Sequence, residues 1–249
     1  MPDLAARLVV QIASFVLDVV IRVPAGISVL FGPSGAGKST ALAAIAGLRR
    51  PDRGRIALGD DVWFDSDAGI DRPVHLRGVA FVFQSLALFP HLSARANVGY
   101  GIDRRTPASD RARRAQAMLD RMKVGHLADR KPPTFSGGEA QRVALARAFA
   151  MSPSLVLLDE PFSALDRDLR KELCIDVKQA IADLGVPALL VTHHRNEARF
   201  LADRAIMIDA GRVTESGRVA ELLPEMEGRD RHALDFDETP LGDLGEVEP

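Results

Sequence analysis

In the stretch Gly32-Pro33-Ser34-Gly35-Ala36-Gly37-Lys38-Ser39-Thr40, the first eight residues fit the spacing G-x-x-x-x-G-K-[ST] in full. Glycines let a backbone wrap closely around a phosphate. Their N–H groups, with the start of a following helix, make an anion nest. Lys38 has the reach for β- and γ-phosphates, and Ser39 offers a hard oxygen to Mg²⁺. The chemistry is nucleotide binding. The loop alone does not separate a kinase, a GTPase and a motor ATPase.

Three further groups carry reactive side chains. Leu155-Val156-Leu157-Leu158-Asp159-Glu160 is an apolar run ending in two carboxylates. At the carboxyl end of a sheet strand, Asp159 is placed to hold Mg²⁺ and Glu160 to polarise a water as general base. Acidic residues also simply terminate strands, so the pair gains weight only beside the loop at Gly32–Thr40. His193 follows a second apolar run, Ala188–Thr192, and emerges at the same edge, positioned for a γ-phosphate. Ser136-Gly137-Gly138 opens a helical stretch and forms a second anion-binding turn. Ser-Gly-Gly is common in turns, and its order among the other groups is what makes it informative.

The elements that position these groups are legible as a pattern. Phe15–Val23 alternates as a half-buried strand. Ile27–Phe31, Val79–Phe83, Leu155–Leu158 and Ala188–Thr192 are short apolar runs of the kind found in parallel sheets. Helices are expected at Ala41–Leu48, across much of 93–131, at Glu139–Met151, at Arg167–Leu184 with Gly185 as its stop, and from Arg195 to Ala202. Ala205–Ile208 and Arg212–Thr214 read as a hairpin. Short buried strands alternating with helices define an α/β fold with a mainly parallel sheet.

Composition excludes several classes. The chain is 249 residues, 47% hydrophobic and 27% charged, which rules out disorder and fibrous repeats. A net charge of −2 does not suit a nucleic-acid binder. The single cysteine, Cys174, rules out a disulfide framework and a cysteine-ligated zinc site. No stretch reaches the ~18–20 apolar residues that span a bilayer, and Asp3, Arg7, Asp18 and Arg22 interrupt any signal-peptide core. Residues 224–249 hold nine acidic and two basic side chains, a balance of −7, which reads as a solvated acidic tail. The remainder carries +5.

Taken in order, these motifs resemble the ATP-binding cassette (ABC) family of transporter ATPases over residues 1–223. Gly32–Thr40 resembles the Walker A loop, Gln84 in Phe81-Val82-Phe83-Gln84 the Q-loop glutamine, and Phe135–Glu139 the signature. Leu155–Glu160 resembles the Walker B strand, Ser163-Ala164-Leu165-Asp166 the D-loop, and His193 the switch histidine. The resemblance implies a P-loop cassette with a RecA-like parallel core sheet, an antiparallel β subdomain and a helical signature subdomain at about 85–152. It implies ATP and Mg²⁺ as ligands, with Ser39, Gln84 and Asp159 toward the metal. It implies Lys38, Glu160 and His193 as the catalytic set, and a head-to-tail dimer. In that dimer Ser136, Gly137, Gly138 and Asp166 serve the partner's ATP.

Phe135 replaces the family's usual leucine and Glu139 its glutamine, neither of which meets phosphate. His194 stands where many relatives carry aspartate, and position favours His193 as the switch. Phe15 is the one aromatic within residues 1–30 for stacking adenine, and its strand position favours a core role.

Gln84–Leu92 and Asn97–Gly101 look like bacterial importer cassettes for molybdate, sulfate, maltose or thiamine. The resemblance implies transmembrane permease partners, an indirect periplasmic or extracellular solute-binding protein, and a peripheral place on the cytoplasmic face of the membrane. Leu86, Leu88 and Phe89 suit either a groove for a permease helix or the core. The loop from Phe31 to Lys38 and the Phe89-Pro90-His91-Leu92 segment look most like molybdate importers. Only 26 residues follow Leu223, so the C-terminal regulatory β domain of many such cassettes is expected to be absent. That expectation keeps thiamine-type cassettes in play. A soluble cassette acting on nucleic acid or the ribosome is the competing class. It typically brings two cassettes, coiled-coil insertions or zinc sites.

Overall fold

The computed structural model describes residues 2–13, 15–163 and 165–225. The acidic segment lies outside the described residues from position 226 on, as does Ala164. Among the described residues one sheet is formed by β1 (Leu4–Ile12), β2 (Phe15–Val23), β3 (Gly26–Phe31), β4 (Arg53–Leu58), β5 (Asp61–Asp65), β6 (Ile70–Asp71), β7 (Val79–Val82), β8 (Leu155–Asp159), β9 (Pro187–Val191), β10 (Arg204–Asp209) and β11 (Arg212–Arg218). Their order is β6-β5-β4-β1-β2-β11-β10-β3-β9-β8-β7. Neighbours from β10 to β7 run parallel. Neighbours from β2 to β6 run antiparallel. The β10–β11 hairpin joins the halves, with Arg212 paired to Asp18.

The helices are α1 (Lys38–Ala46), α2 (Ala94–Tyr100), α3 (Ala108–Arg121), α4 (Gly137–Ala150), α5 (Arg167–Leu184), α6 (Arg195–Leu201) and α7 (Val219–Leu222). The parallel strands β8 and β9 are apolar up to their carboxyl ends because both of their faces are covered. Leu155, Leu157, Leu189 and Val191 share a core with α1 and the inward residues of β1, β2 and β4. Val156, Leu158, Ala188 and Leu190 face the opposite way, into a core shared with α2 to α6. The antiparallel strand β2 has one wet face, so its burial alternates from Leu17 to Val23.

Several boundaries differ from the sequence pattern. The helical stretch 93–131 divides into α2 and α3, broken around Gly101 and Pro107. Pro107 takes the N-cap of α3, since it disrupts a helix interior. The first helix begins at Lys38 rather than Ala41, because Gly37 caps it in a left-handed conformation. The signature helix begins at Gly137 rather than Glu139. Strands β1 and β4 to β6 lie in stretches where no element was read from the sequence.

Arg142 of α4 ties the helical layer to α5. Buried at 5% exposure, it donates to Asp176 at 2.6 Å, to Glu172 at 3.2 Å and to the Met122 carbonyl at 3.3 Å. Among the described residues, Arg142→Ala leaves Asp176, itself largely covered, with only Lys123 as a cationic partner. The expected cost is about 3 kcal/mol, at the low end for breaking a buried pair. That corresponds to a fall in melting temperature of roughly 6–12 °C for a domain of this size, measured by circular dichroism.

Candidate functional site

Strands β3, β8 and β9 are parallel, so their carboxyl ends share one edge. The phosphate-type loop leaves β3 there and runs into α1. Gly35 (φ 80°) and Gly37 (φ 98°) take left-handed backbone, which costs glycine little. Gly32 is crowded: a Cβ there would sit 2.0 Å from the carbonyl oxygen of Ile208 in β10. Ser34, Gly35 and Ala36 form the crest between Pro33 and Gly37, closed by the Ala36 N–H donating to the Pro33 carbonyl at 3.3 Å.

Lys38 folds back over this loop, and its Nζ donates to the carbonyls of Gly32 (2.8 Å) and Pro33 (2.7 Å). Burial pushes its pKa below the usual lysine range, while the charges of Glu160 and Asp159 oppose that. Ser39 follows, and its Oγ donates to Asp159 Oδ1 at 3.0 Å. Thr40 continues the first turn of α1. Burial raises the Asp159 carboxyl, the Ser39 hydrogen bond resists, and the nearby Glu160 charge adds to the rise.

Glu160 sits just past β8 with φ 47°, a strained value for a residue with a side chain. Its N–H donates to the Val191 carbonyl at 2.9 Å, and its own carbonyl accepts from Ser163 Oγ at 3.1 Å. The turn brings two distant residues to the carboxylate. Gln84 Nε2 donates to Oε2 at 3.4 Å, and His193 Nδ1 lies 3.2 Å from Oε1. Of the paired histidines, His193 meets Glu160. The His194 N–H instead donates to Thr192 Oγ1, while its ring packs on His193 at 4.1 Å. Burial, then the His193 charge, lowers the His194 pKa.

The turn at Ser136-Gly137-Gly138 is built separately. Ser136 Oγ accepts from the Glu139 N–H at 3.3 Å, and Glu139 Oε2 accepts from the Ser136 N–H at 2.7 Å. This reciprocal cap accounts for glutamate at 139, and the Ser136 N–H bond draws its pKa down. Gly138 packs on Leu169 so closely that a Cβ would lie 2.1 Å from Cδ2. Asp166 caps α5, with Oδ1 accepting from the Leu169 N–H at 3.0 Å. No hydrogen bond or ion pair among the described residues joins Ser136–Gly138 to Gly32–Thr40.

Phe15 is half-buried on the antiparallel core, and its ring lies 3.2 Å from the Cβ position of Gly37. Leu88 packs on the helical core, and the Phe89 ring lies 4.5 Å from the exposed Tyr100.

Sequence patterns missed Glu197. It is 1% exposed, accepts from Thr192 Oγ1 at 2.6 Å and faces Arg170 at 3.7 Å. Burial raises its pKa, with the Thr192 bond opposing. Arg170 also donates to the Leu165 carbonyl at 2.7 Å. The network pins the strand end that carries His193. A glutamate in a first helical turn is too common to signal this.

The model of the ABC transporter family matches residues 19–163. The molybdenum import ATP-binding protein ModC of Albidiferax ferrireducens is 46% identical over 202 residues, 81% of this chain and 54% of that protein. ModC 1 of Azotobacter vinelandii is 40% identical over 223 residues, 89% of this chain and 62% of that one. The chain thus spans between half and two thirds of the length of these curated relatives. The dimeric structure of MJ0796, a bacterial ABC transporter cassette, superposes with a TM-score of 0.74 at 28% identity, covering 87% of this chain and 98% of that one. A dimeric post-hydrolysis state of the same cassette, bound to ADP and Pi, gives the same values. With the family's model covering more than half of its length, the chain belongs to the ABC transporter family.

Proposed function

We propose that this chain is the ATP-hydrolysing subunit of an ABC importer, with a molybdate-type oxyanion as the favoured cargo. The observation that carries the reading is the convergence of Gln84 and His193 on Glu160, beside the Ser39–Asp159 pair. That is the arrangement a general base needs next to a phosphate loop.

The ATP phosphates lie in the nest of Gly32–Thr40, with Lys38 on the β- and γ-phosphates. Ser39, Gln84 and Asp159 are hard-oxygen donors suited to Mg²⁺, which keeps several waters and leans on substrate phosphates. When bound, Mg²⁺ neutralises charge developing on the phosphoryl oxygens. Glu160 takes the proton of the attacking water, and His193 meets the γ-phosphate. On this reading two cassettes pair head to tail, as the dimeric state of the similar cassette MJ0796 supports. In that pair the partner's Ser136, Gly137, Gly138 and Asp166 complete the nucleotide site. Phe15, at the edge of the loop, is the aromatic available to adenine.

The cassette unit spans residues 1–223, with its helical subdomain at about 85–152. The partners are a second cassette, permease subunits and, through them, a solute-binding protein outside the membrane. The chain works at the cytoplasmic face. No helix among the described residues is long and apolar enough to cross a membrane. On this reading the pore belongs to the permease. The cargo assignment leans on the names of the curated relatives, because a cassette does not touch the solute.

Co-expression with its permease tests the reading. The chain is expected to co-purify with the permease and to restore ATP-dependent molybdate uptake, followed by mass spectrometry of molybdenum, in a strain lacking its own cassette. Restored uptake of sulfate or thiamine instead would move the cargo. Association with ribosomes or DNA and no permease complex would overturn the transport reading.

A further inference from the structure

The segment just after Gln84 is bent against its own preferences. Leu86 (φ 59°) and Ala87 (φ 47°) are consecutive, and both occupy left-handed backbone without a glycine. Their N–H groups close the turn locally, Leu86 on the Phe83 carbonyl at 2.9 Å and Ala87 on the Ser85 carbonyl at 2.7 Å. Their carbonyls are both taken by one side chain. Arg147 of α4 donates from Nη2 to Leu86 at 2.8 Å and from Nη1 to Ala87 at 2.7 Å.

Arg147 has no carboxylate partner among the described residues. Its guanidinium sits 5.7 Å from the Phe89 ring centroid, and burial lowers its pKa. A partly buried cation without a counter-charge is a poor choice for mere packing. A planar fork on two successive carbonyls does something packing does not: it fixes the orientation of both peptide units. The far side is also held. Asn97 Oδ1 accepts from the Phe89 N–H at 2.8 Å, and its Nδ2 donates to the Phe89 carbonyl at 3.1 Å. Gln84 projects from this braced segment and reaches Glu160.

We propose that Arg147 is a positioning residue. By gripping the Leu86 and Ala87 carbonyls it holds the strained turn that aims Gln84 at Glu160. It also makes that aim depend on the helix whose first turn is Ser136–Gly138. From Ser136 to Arg147 the helix rises about 16 Å, so one rigid rod connects the Ser136–Gly138 turn to the segment that carries Gln84. The proposal rests on the ATPase reading above.

A double-mutant cycle on the full chain tests it. ATP turnover, its Mg²⁺ dependence, and Mg²⁺-free binding of a fluorescent ATP analogue are measured for Arg147→Ala, Arg147→Lys, Gln84→Ala and the double variants, with melting temperatures alongside. Arg147→Ala is expected to lower kcat about tenfold, as small misplacements of positioning groups do. The Mg²⁺ concentration for half-maximal turnover rises, and metal-free nucleotide affinity stays within about twofold of the parent. In the Gln84→Ala background the same change should alter kcat by less than about twofold, because the two residues act as a unit. Arg147→Lys should behave like the alanine variant, since an ammonium lacks the planar fork that fixes the orientation of both peptide units. If Arg147→Ala unfolds, the cycle run with Arg147→Lys decides. Additive losses, or losses that only track melting temperature, overturn the role of Arg147. The ATPase reading stands in that case, provided the parent turns over ATP and Glu160→Gln does not. A parent chain without turnover overturns both.

Discussion

Glu160→Gln is expected to leave ATP binding intact, to cut turnover by about 10²- to 10⁴-fold, and to accumulate an ATP-bound dimer. The substitution changes one atom of the side chain. An amide still accepts from Gln84 Nε2 and still fits beside His193, so the convergence on position 160 survives. What goes is the capacity to take a proton from water. Binding is expected to persist because Glu160 makes no hydrogen bond to the phosphate loop. The nearest loop link is from Ser39 to Asp159, which the change leaves in place. A negative charge beside the expected γ-phosphate also disappears. The nucleotide-bound pair then loses both its repulsive carboxylate and its exit by hydrolysis. Phosphate release and size-exclusion chromatography with light scattering give the two readouts. A variant that turns over ATP at the parental rate removes Glu160 as the base.

Legibility in the sequence followed local chemistry. The helix expected at Arg167–Leu184 forms over those residues because both of its ends are marked: Asp166 accepts from the Leu169 N–H, and Gly185 takes φ 63°. Strand β2 alternates because one face meets α1 and the other meets water. Strands β4 and β5 escaped notice because their exposed positions carry Arg53, Arg55 and Asp61, and Gly54 interrupts the run. Gly54 is required by tertiary packing, since a Cβ there would sit 2.0 Å from the Arg7 carbonyl oxygen. No local pattern records an approach of that kind.

The site divides in the same way. Each loop was readable alone, from glycine spacing or from carboxylates ending an apolar run. The meeting of Gln84, Glu160 and His193 was not, because it spans separations of 76 and 33 residues and depends on β7, β8 and β9 being sheet neighbours. Arg147 and Glu197 were invisible for a related reason. Their partners are carbonyls and hydroxyls supplied by other elements, and backbone carbonyls leave no mark in a sequence. The motif resemblance supplied the roles that geometry alone does not name, including those exercised across a dimer.

Lys38→Ala should fail at the step that Glu160→Gln passes. Affinity for ATP is expected to fall by about 100-fold, the equivalent of two charge-assisted hydrogen bonds to phosphate, each discounted for the water it displaces. The present hydrogen bonds of Lys38 to the Gly32 and Pro33 carbonyls hold the ammonium at the mouth of the loop. The side chain is therefore already ordered over the loop, and little of its freedom remains to be lost on binding. The charge also has a second task. It lies among Asp159 and Glu160, and its loss leaves two neighbouring carboxylates to repel each other, one of them already raised by burial. An incoming triphosphate then meets two carboxylates with no lysine to offset either. Lys38→Arg tests geometry against charge, since a longer planar fork keeps the charge but does not match the two loop carbonyls. It should recover part of the affinity and little of the turnover. Isothermal titration with ATP reads the outcome directly. Full affinity in Lys38→Ala would mean that the loop binds through backbone N–H groups alone, and the lysine would lose its place in the site.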